Sequence, residues 1–248
     1  MAPPLGVQLY TLREALTADR DGTLARVAAL GYTAVEPYDP AADPEGFRRV
    51  ADGLGLTVPG AHAIGLLGDE PDRVLEAIAT LGGDLAIVPA GIPEEDFGSR
   101  DGLHRAAEVL NGLAERAGRH GLTLGYHNHW WELEARVDGH HGIEALVGLL
   151  DPRVVLEIDT YWAAVGGADV PALLRRLGDR VRALHVKDGP GVKGEPHVAV
   201  GAGTMPVADI LAAAPDAWRV VELDECAGDV FDALDGSRTF LAGLGEAA

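Results

Sequence analysis

At 248 residues, 47% of them hydrophobic and 24% charged, the chain can fill one large core. No stretch approaches the roughly 18 uninterrupted apolar residues of a membrane span. A net charge of −19, from 39 acidic and 20 basic residues, argues against nucleic acid or an anionic membrane as partner. One cysteine, Cys226, excludes an internal disulfide, and residues 1–5 lack the basic start and apolar run of a secretory signal, so a cytoplasmic protein is expected.

Turn residues punctuate the chain throughout, with no low-complexity tail or Ser/Gly linker. Residues 5–9 read as a first strand, followed by a helix through 24–30 that Gly31 stops. Residues 33–36 form a second strand ending in Glu36. A helix over 45–54 stops at Gly55, and 56–62 is a third strand ending in His62. Pro71 opens the next helix, as a first-turn proline can, and 85–88 is a fourth strand. A long helix covers 101–119 before Gly121. Four further short runs, rich in Val and Leu, begin at 122, 154, 181 and 218, with helices near 141–150, 169–178, 206–213 and 229–242. Eight strand–helix units over 1–248 predict a single-domain α/β fold, a (β/α)8 TIM barrel. An open doubly wound sheet would carry a glycine-rich loop after its first strand, and Gln8-Leu9-Tyr10-Thr11-Leu12-Arg13 is no such loop.

The last four strands each end in residues that can hold a divalent metal. The fifth runs into His127-Asn128-His129 with Glu132 just beyond, the sixth into Asp159, the seventh into His185, and the eighth into Glu222. In such a barrel these ends converge on one mouth. Three carboxylates and an imidazole, Glu132, Asp159, His185 and Glu222, suit Mn, Co, Mg or Zn and leave positions for a substrate diol or keto-alcohol. Alternation points His127 and His129 to one face of the fifth strand, and either can serve as ligand or general base. Lys187 faces the same side as His185, where it can bind a substrate hydroxyl, stabilise an enolate, or pair with Asp188 or a neighbouring carboxylate. Glu36 and His62 line the mouth, and Trp162, Tyr10, Trp130 and Trp131 offer flat walls to a sugar ring. Gly201-Ala202-Gly203 lacks the Lys-Ser/Thr of a phosphate loop and is not read as one.

Together these segments resemble the sugar phosphate isomerase/epimerase superfamily, the xylose-isomerase-like barrels. The likeness runs from Gly6-Val7-Gln8-Leu9-Tyr10-Thr11-Leu12-Arg13 through Gly31-Tyr32-Thr33-Ala34-Val35-Glu36 and Tyr126-His127-Asn128-His129-Trp130-Trp131-Glu132. It continues in Asp159-Thr160-Tyr161-Trp162-Ala163, His185-Val186-Lys187-Asp188 and Val221-Glu222-Leu223-Asp224. The resemblance implies that Asp159, His185 and Glu222 are metal ligands. Family epimerases pair a strand-five glutamate with the strand-eight one, on opposite faces of a substrate carbon; here His127 stands at the strand-five position. Either Glu132 reaches back to the metal and His127 is the base, or His127 is the ligand itself. A His-rich strand five looks closer to the inosose-dehydratase-like branch.

The expected activity is metal-dependent proton abstraction beside a carbonyl of a sugar or cyclitol, with His127 or Glu222 as base and Lys187 assisting, giving isomerisation or epimerisation. The alternatives are a lyase that dehydrates a keto-inositol or cleaves a 3-keto-glycoside, an endonuclease IV-like repair enzyme, and a non-catalytic sugar-binding barrel. The chain is short for this family, which predicts trimmed loops and an open mouth that a homodimer would help cover.

Overall fold

The computed structural model describes residues 4–246; residues 1–3, part of the segment used above to judge secretion, lie outside the described residues. Eight parallel strands are present: β1 (Leu5–Gln8), β2 (Ala34–Glu36), β3 (Gly60–His62), β4 (Leu85–Val88), β5 (Thr123–His127), β6 (Val155–Asp159), β7 (Val181–Val186) and β8 (Trp218–Val221). Their lateral order is β2-β1-β8-β7-β6-β5-β4-β3, the chain order read round a ring. The two ends of that series meet through Val35 N–H donating to Thr57 O at 2.9 Å, Thr57 N–H to Thr33 O at 3.0 Å, and His62 N–H to Pro37 O at 2.9 Å. The result is the expected TIM barrel.

Strand alternation divides the apolar residues into two bodies. Outward-facing Val7, Val35, Val88, Leu124, Leu156, Leu184 and Val221 join the helices in one continuous core. Inward-facing Ala34, Ala183, Trp218 and Val220 fill the barrel interior on one side, and Leu85, Ile87 and Val155 on the other. Gly6 makes room for the indole there, since a Cβ at this position would stand 2.9 Å from Trp218 Cζ2. With the interior packed below, the polar inward residues are confined to the C-terminal ends of the strands.

Helix starts follow local chemistry. Asp43 accepts from Gly46 N–H at 3.1 Å to cap Pro44–Leu54, and Ser99 accepts from Gly102 N–H at 3.1 Å to cap Arg100–Arg119. The third strand is shorter than the sequence suggests. Thr57 keeps an isolated bridge to Ala34, but Pro59 has no N–H to give a neighbour, so the regular strand resumes only at Gly60. Several short elements fall outside the sequence reading, among them the helices Arg13–Ala18 and Trp131–Glu134, and two are of note here. One is the helix Thr160–Val165, directly after β6; the other is a small hairpin pairing Arg136–Val137 with His140–His141. Among the described residues, no helix is long and apolar enough to cross a membrane.

Candidate active site

Residues two apart on a strand share a face, so Glu157 and Asp159 on β6, His185 and Lys187 at the end of β7, and His127 and His129 at the end of β5 point inward in pairs. Neighbouring strands are in step here, with His127 opposite Glu157 and Asp159 opposite His185. Asn128 locks the step from the other face. Its Oδ1 accepts from Asp159 N–H at 3.0 Å and its Nδ2 donates to Asp159 O at 3.3 Å.

The inward side chains form two overlapping groups. The deeper one centres on Glu157 Oε2, which lies 2.6 Å from His62 Nε2, 3.0 Å from His127 Nδ1 and 3.2 Å from His185 Nε2. Beside it, Glu36 Oε1 accepts from Gln8 Nε2 at 2.6 Å and stands 2.9 Å from His185 Nε2. Nearer the mouth, His185 Nδ1 is 2.7 Å from Glu222 Oε2. Lys187 Nζ is 2.8 Å from both Asp159 Oδ2 and Glu222 Oε2, and 2.9 Å from Asp224 Oδ2. This ammonium is almost sealed from solvent, at 2% exposure, and its anionic partners replace the hydration it has lost.

Of the four metal ligands expected from sequence, the structure brings three together: ligand atoms of Asp159, His185 and Glu222 lie within 4.8 Å of one another. Glu132 is not with them. It belongs to the short helix Trp131–Glu134, and Tyr126, which alternates with His127 and so faces out of the barrel, donates its hydroxyl to Glu132 Oε1 at 2.8 Å. The other oxygen accepts from His129 N–H at 2.8 Å. Glu132 therefore braces the turn after β5 from the outer layer, where burial pushes its pKa up to about 7.

His62, His129 and Trp162 line a cavity of about 510 Å³ at the mouth, together with His127, Lys187 and Glu222. Tyr10, Tyr38, Ile64 and Trp130 complete its apolar walls. Trp131 does not; it stacks on His129 with ring centroids 4.1 Å apart. Glu36 is fully buried beneath the cavity rather than on its wall. Lys187 does not pair with Asp188. That carboxylate turns away and accepts backbone N–H groups from Gly189, Gly201, Gly203 and Met205 at 2.8–3.1 Å. The Gly201-Ala202-Gly203 segment thus does cradle an anion, but the anion is the protein's own. Glu157, Gln8 and Asp224 are site residues that the sequence reading did not assign; Glu157 was detectable as the inward neighbour of Asp159 two positions back.

Burial dominates the proton affinities, and the local charges then divide them. Burial, and then the Glu157 charge, raise Glu36 to about 7; burial raises Asp159 to about 6 against the pull of Lys187. For Glu222 burial also pushes upward, but Lys187 and His185 outweigh it and hold the carboxyl well below its usual range. Burial and the Lys187 charge depress His129 to about 4, leaving a neutral imidazole on the cavity wall.

The residues fit a divalent ion. Imidazole nitrogens and carboxylate oxygens are the donors such ions take. Two buried carboxylate oxygens, Glu36 Oε2 and Glu157 Oε1, have no hydrogen-bond partner, an arrangement that costs stability unless something positive meets them.

Comparison with known proteins identifies the family and the fold. The family model described as xylose isomerase-like TIM barrel matches residues 24–225. An inosose dehydratase of Geobacillus kaustophilus is 30% identical over 201 residues, covering 68% of this chain and 62% of that relative. The chain thus spans less than two thirds of that relative's length. A sugar phosphate isomerase/epimerase from Parabacteroides distasonis superposes with a TM-score of 0.80 at 23% identity, over 97% of this chain and 94% of that one. A xylose isomerase-like barrel from Mycobacterium smegmatis, solved in complex with magnesium, superposes with a TM-score of 0.68 at 13% identity, over 98% and 96% of the two chains.

Proposed function

Because this chain belongs to the xylose isomerase-like TIM barrel family, we propose that it abstracts a proton next to a carbonyl of a sugar or cyclitol, with a divalent metal as cofactor. Asp159, His185 and Glu222 are the residues that would hold the ion at the mouth, beside the Lys187 ammonium that contacts both carboxylates. The ion supplies Lewis-acid polarisation of a carbonyl or neighbouring hydroxyl oxygen. Lys187 is a fixed donor to the oxygen on which negative charge develops. Glu222, kept deprotonated by Lys187 and His185, accepts the proton from carbon, and the neutral His129 binds a substrate hydroxyl. Tyr10, Trp130 and Trp162 present ring faces and edges to the apolar side of the substrate ring.

Loss of a hydroxyl from the adjacent carbon, as in a keto-inositol dehydratase, is the outcome the geometry supports best. The observation that carries it is that, among the described residues, the end of β5 offers His127 rather than a glutamate to oppose Glu222. His127 occupies the strand-five position and is engaged with Glu157, while Glu132 is held by Tyr126 on the far side of the strand. Epimerisation by two opposed glutamates lacks its partner here. The inosose dehydratases among the relatives support the same outcome. Isomerisation is the second reading, favoured by the side-by-side placement of Glu222 and Lys187, which allows one carboxylate to return the proton to the next carbon.

The test is incubation of metal-loaded protein with keto-inositols, ketoses and 3-keto-glycosides in D₂O. Deuterium uptake beside the carbonyl is expected, with loss of water from the product. Glu222→Gln should lower the rate at least about 1,000-fold. Uptake without mass loss would select isomerisation, and no uptake from any of the three classes would defeat the proposal.

A further inference from the structure

Apart from His185, which both groups share, the deeper group has no part in the chemistry just described, yet it has the composition of a metal site in its own right. His62, His127, Glu157 and His185 come from four different strands, and their ligand atoms lie within 4.8 Å of one another. The three imidazole centroids form a nearly equilateral triangle with sides of 4.8, 4.9 and 4.6 Å. Glu157 Oε2 faces a nitrogen of each ring at 2.6, 3.0 and 3.2 Å. Donors bound about 2.1 Å from a common tetrahedral ion stand about 3.4 Å apart, so the group opens around one when Glu157 Oε2 moves about 0.2–0.4 Å from His185 and His127 and about 0.8 Å from His62.

Two further observations point to a cation. Glu157 Oε1 and Glu36 Oε2 are both sealed in the barrel with no partner. The ion pairs of these two glutamates, among the described residues, are with histidines alone. The mouth group differs, because a lysine ammonium already sits between its carboxylates. His185 serves the two groups through opposite ring nitrogens, Nε2 inward and Nδ1 outward. His127 likewise turns Nδ1 to Glu157 and Nε2 toward Asp159, at 3.9 Å.

We propose that His62 Nε2, His127 Nδ1, Glu157 Oε2 and His185 Nε2 form a second divalent-metal site, of zinc type, beneath the mouth group, with Glu36 as the carboxylate that orients His62 and His185. Three imidazoles and one carboxylate are the donor set of zinc or cobalt(II) rather than of magnesium, which prefers oxygen. The site does not depend on which reaction the mouth performs.

Chelator-stripped protein is crystallised, soaked in zinc chloride, and its anomalous difference map is recorded on both sides of the zinc edge. A peak bonded to the four named atoms is expected. In solution, cobalt(II) titration should give the intense visible bands of a four-coordinate ion. Glu157→Gln and His62→Gln should each lose one equivalent of cobalt, whereas Asp159→Asn keeps it. Glu36→Gln should weaken that equivalent about 10–100-fold, as changes to groups orienting metal-bound histidines do. Zinc density confined to the space between Asp159 and Glu222, or none in the barrel at all, would overturn the proposal. So would Glu157→Gln protein that folds, by its circular dichroism, and binds cobalt as the parent does. The map of the unmodified chain decides the matter even if both variants fail to fold.

Discussion

Several buried charges in this barrel are met by a particular partner, which makes single substitutions informative. Lys187 neutralises Asp159 and Glu222 from a position almost closed to solvent. Lys187→Met strands those carboxylates and should cost about 3–5 kcal/mol in urea unfolding with chelator present, with part of the loss restored by a divalent ion. An unchanged urea midpoint would show that the ammonium is dispensable. Glu132 gives a pH signature. Its folded pKa of about 7 lies above the ordinary 4.5, so the folded state holds that proton more tightly. Its contribution is therefore fully present below about pH 4.5 and is lost as the pH rises through 7. Between pH 5 and 8 the parent should lose about 1–3 kcal/mol more stability than Glu132→Gln, whose missing acceptor is a constant offset. Asp159, His185 and Glu222 were legible from sequence because each ends an apolar run. Glu132 misled because nearness along the chain says nothing about which side of β5 a turn leaves from. Glu157 was hidden inside an apolar run, where only strict alternation with Asp159 reveals it.

Among the elements, the interior packing depends on one rigid contact. A Cβ on Gly6 of β1 would press on the Trp218 indole of β8, which has no room to rotate in a filled barrel. Gly6→Ala should destabilise by about 1–3 kcal/mol, and Trp218→Phe in the same chain should recover a good part of it. Strictly additive effects in that double-mutant cycle would contradict the contact. Strand and helix positions were readable because glycine stops and apolar runs recur in phase, as with Gly31, Gly55 and Gly121. The helix Thr160–Val165 was missed for a different reason. Its cap is Asp159, whose Oδ1 accepts from Trp162 N–H at 2.8 Å, so one residue serves both as cap and as site carboxylate. The hairpin at 136–141 did have a signal, Asp138-Gly139, both at positive φ as a tight two-residue turn requires.

For the whole molecule, the stability of the barrel and its charge load are one problem. Carboxylates concentrated at one end of a closed ring repel each other, and bound cations relieve that repulsion. A divalent ion at 100 times its dissociation constant adds about 2.7 kcal/mol. In a chain of this size that corresponds to a melting temperature about 5–10 °C higher than in chelator. Equal melting curves with and without metal would argue against tight binding to the folded state. The ring itself was legible from the count of eight strand–helix units, but not where it closes, since that depends on hydrogen bonds between residues with no distinguishing side chains. The closure is the thinnest part of the wall, three main-chain bonds between β2 and β3. Glu36 and His62 face each other across it at 3.3 Å. An ion gripping His62 from within therefore acts as a rivet over a crack. Strip it out, and the barrel should begin to breathe there first, with the amide hydrogens of Val35, Thr57 and His62 trading with solvent ahead of those in β6 and β7.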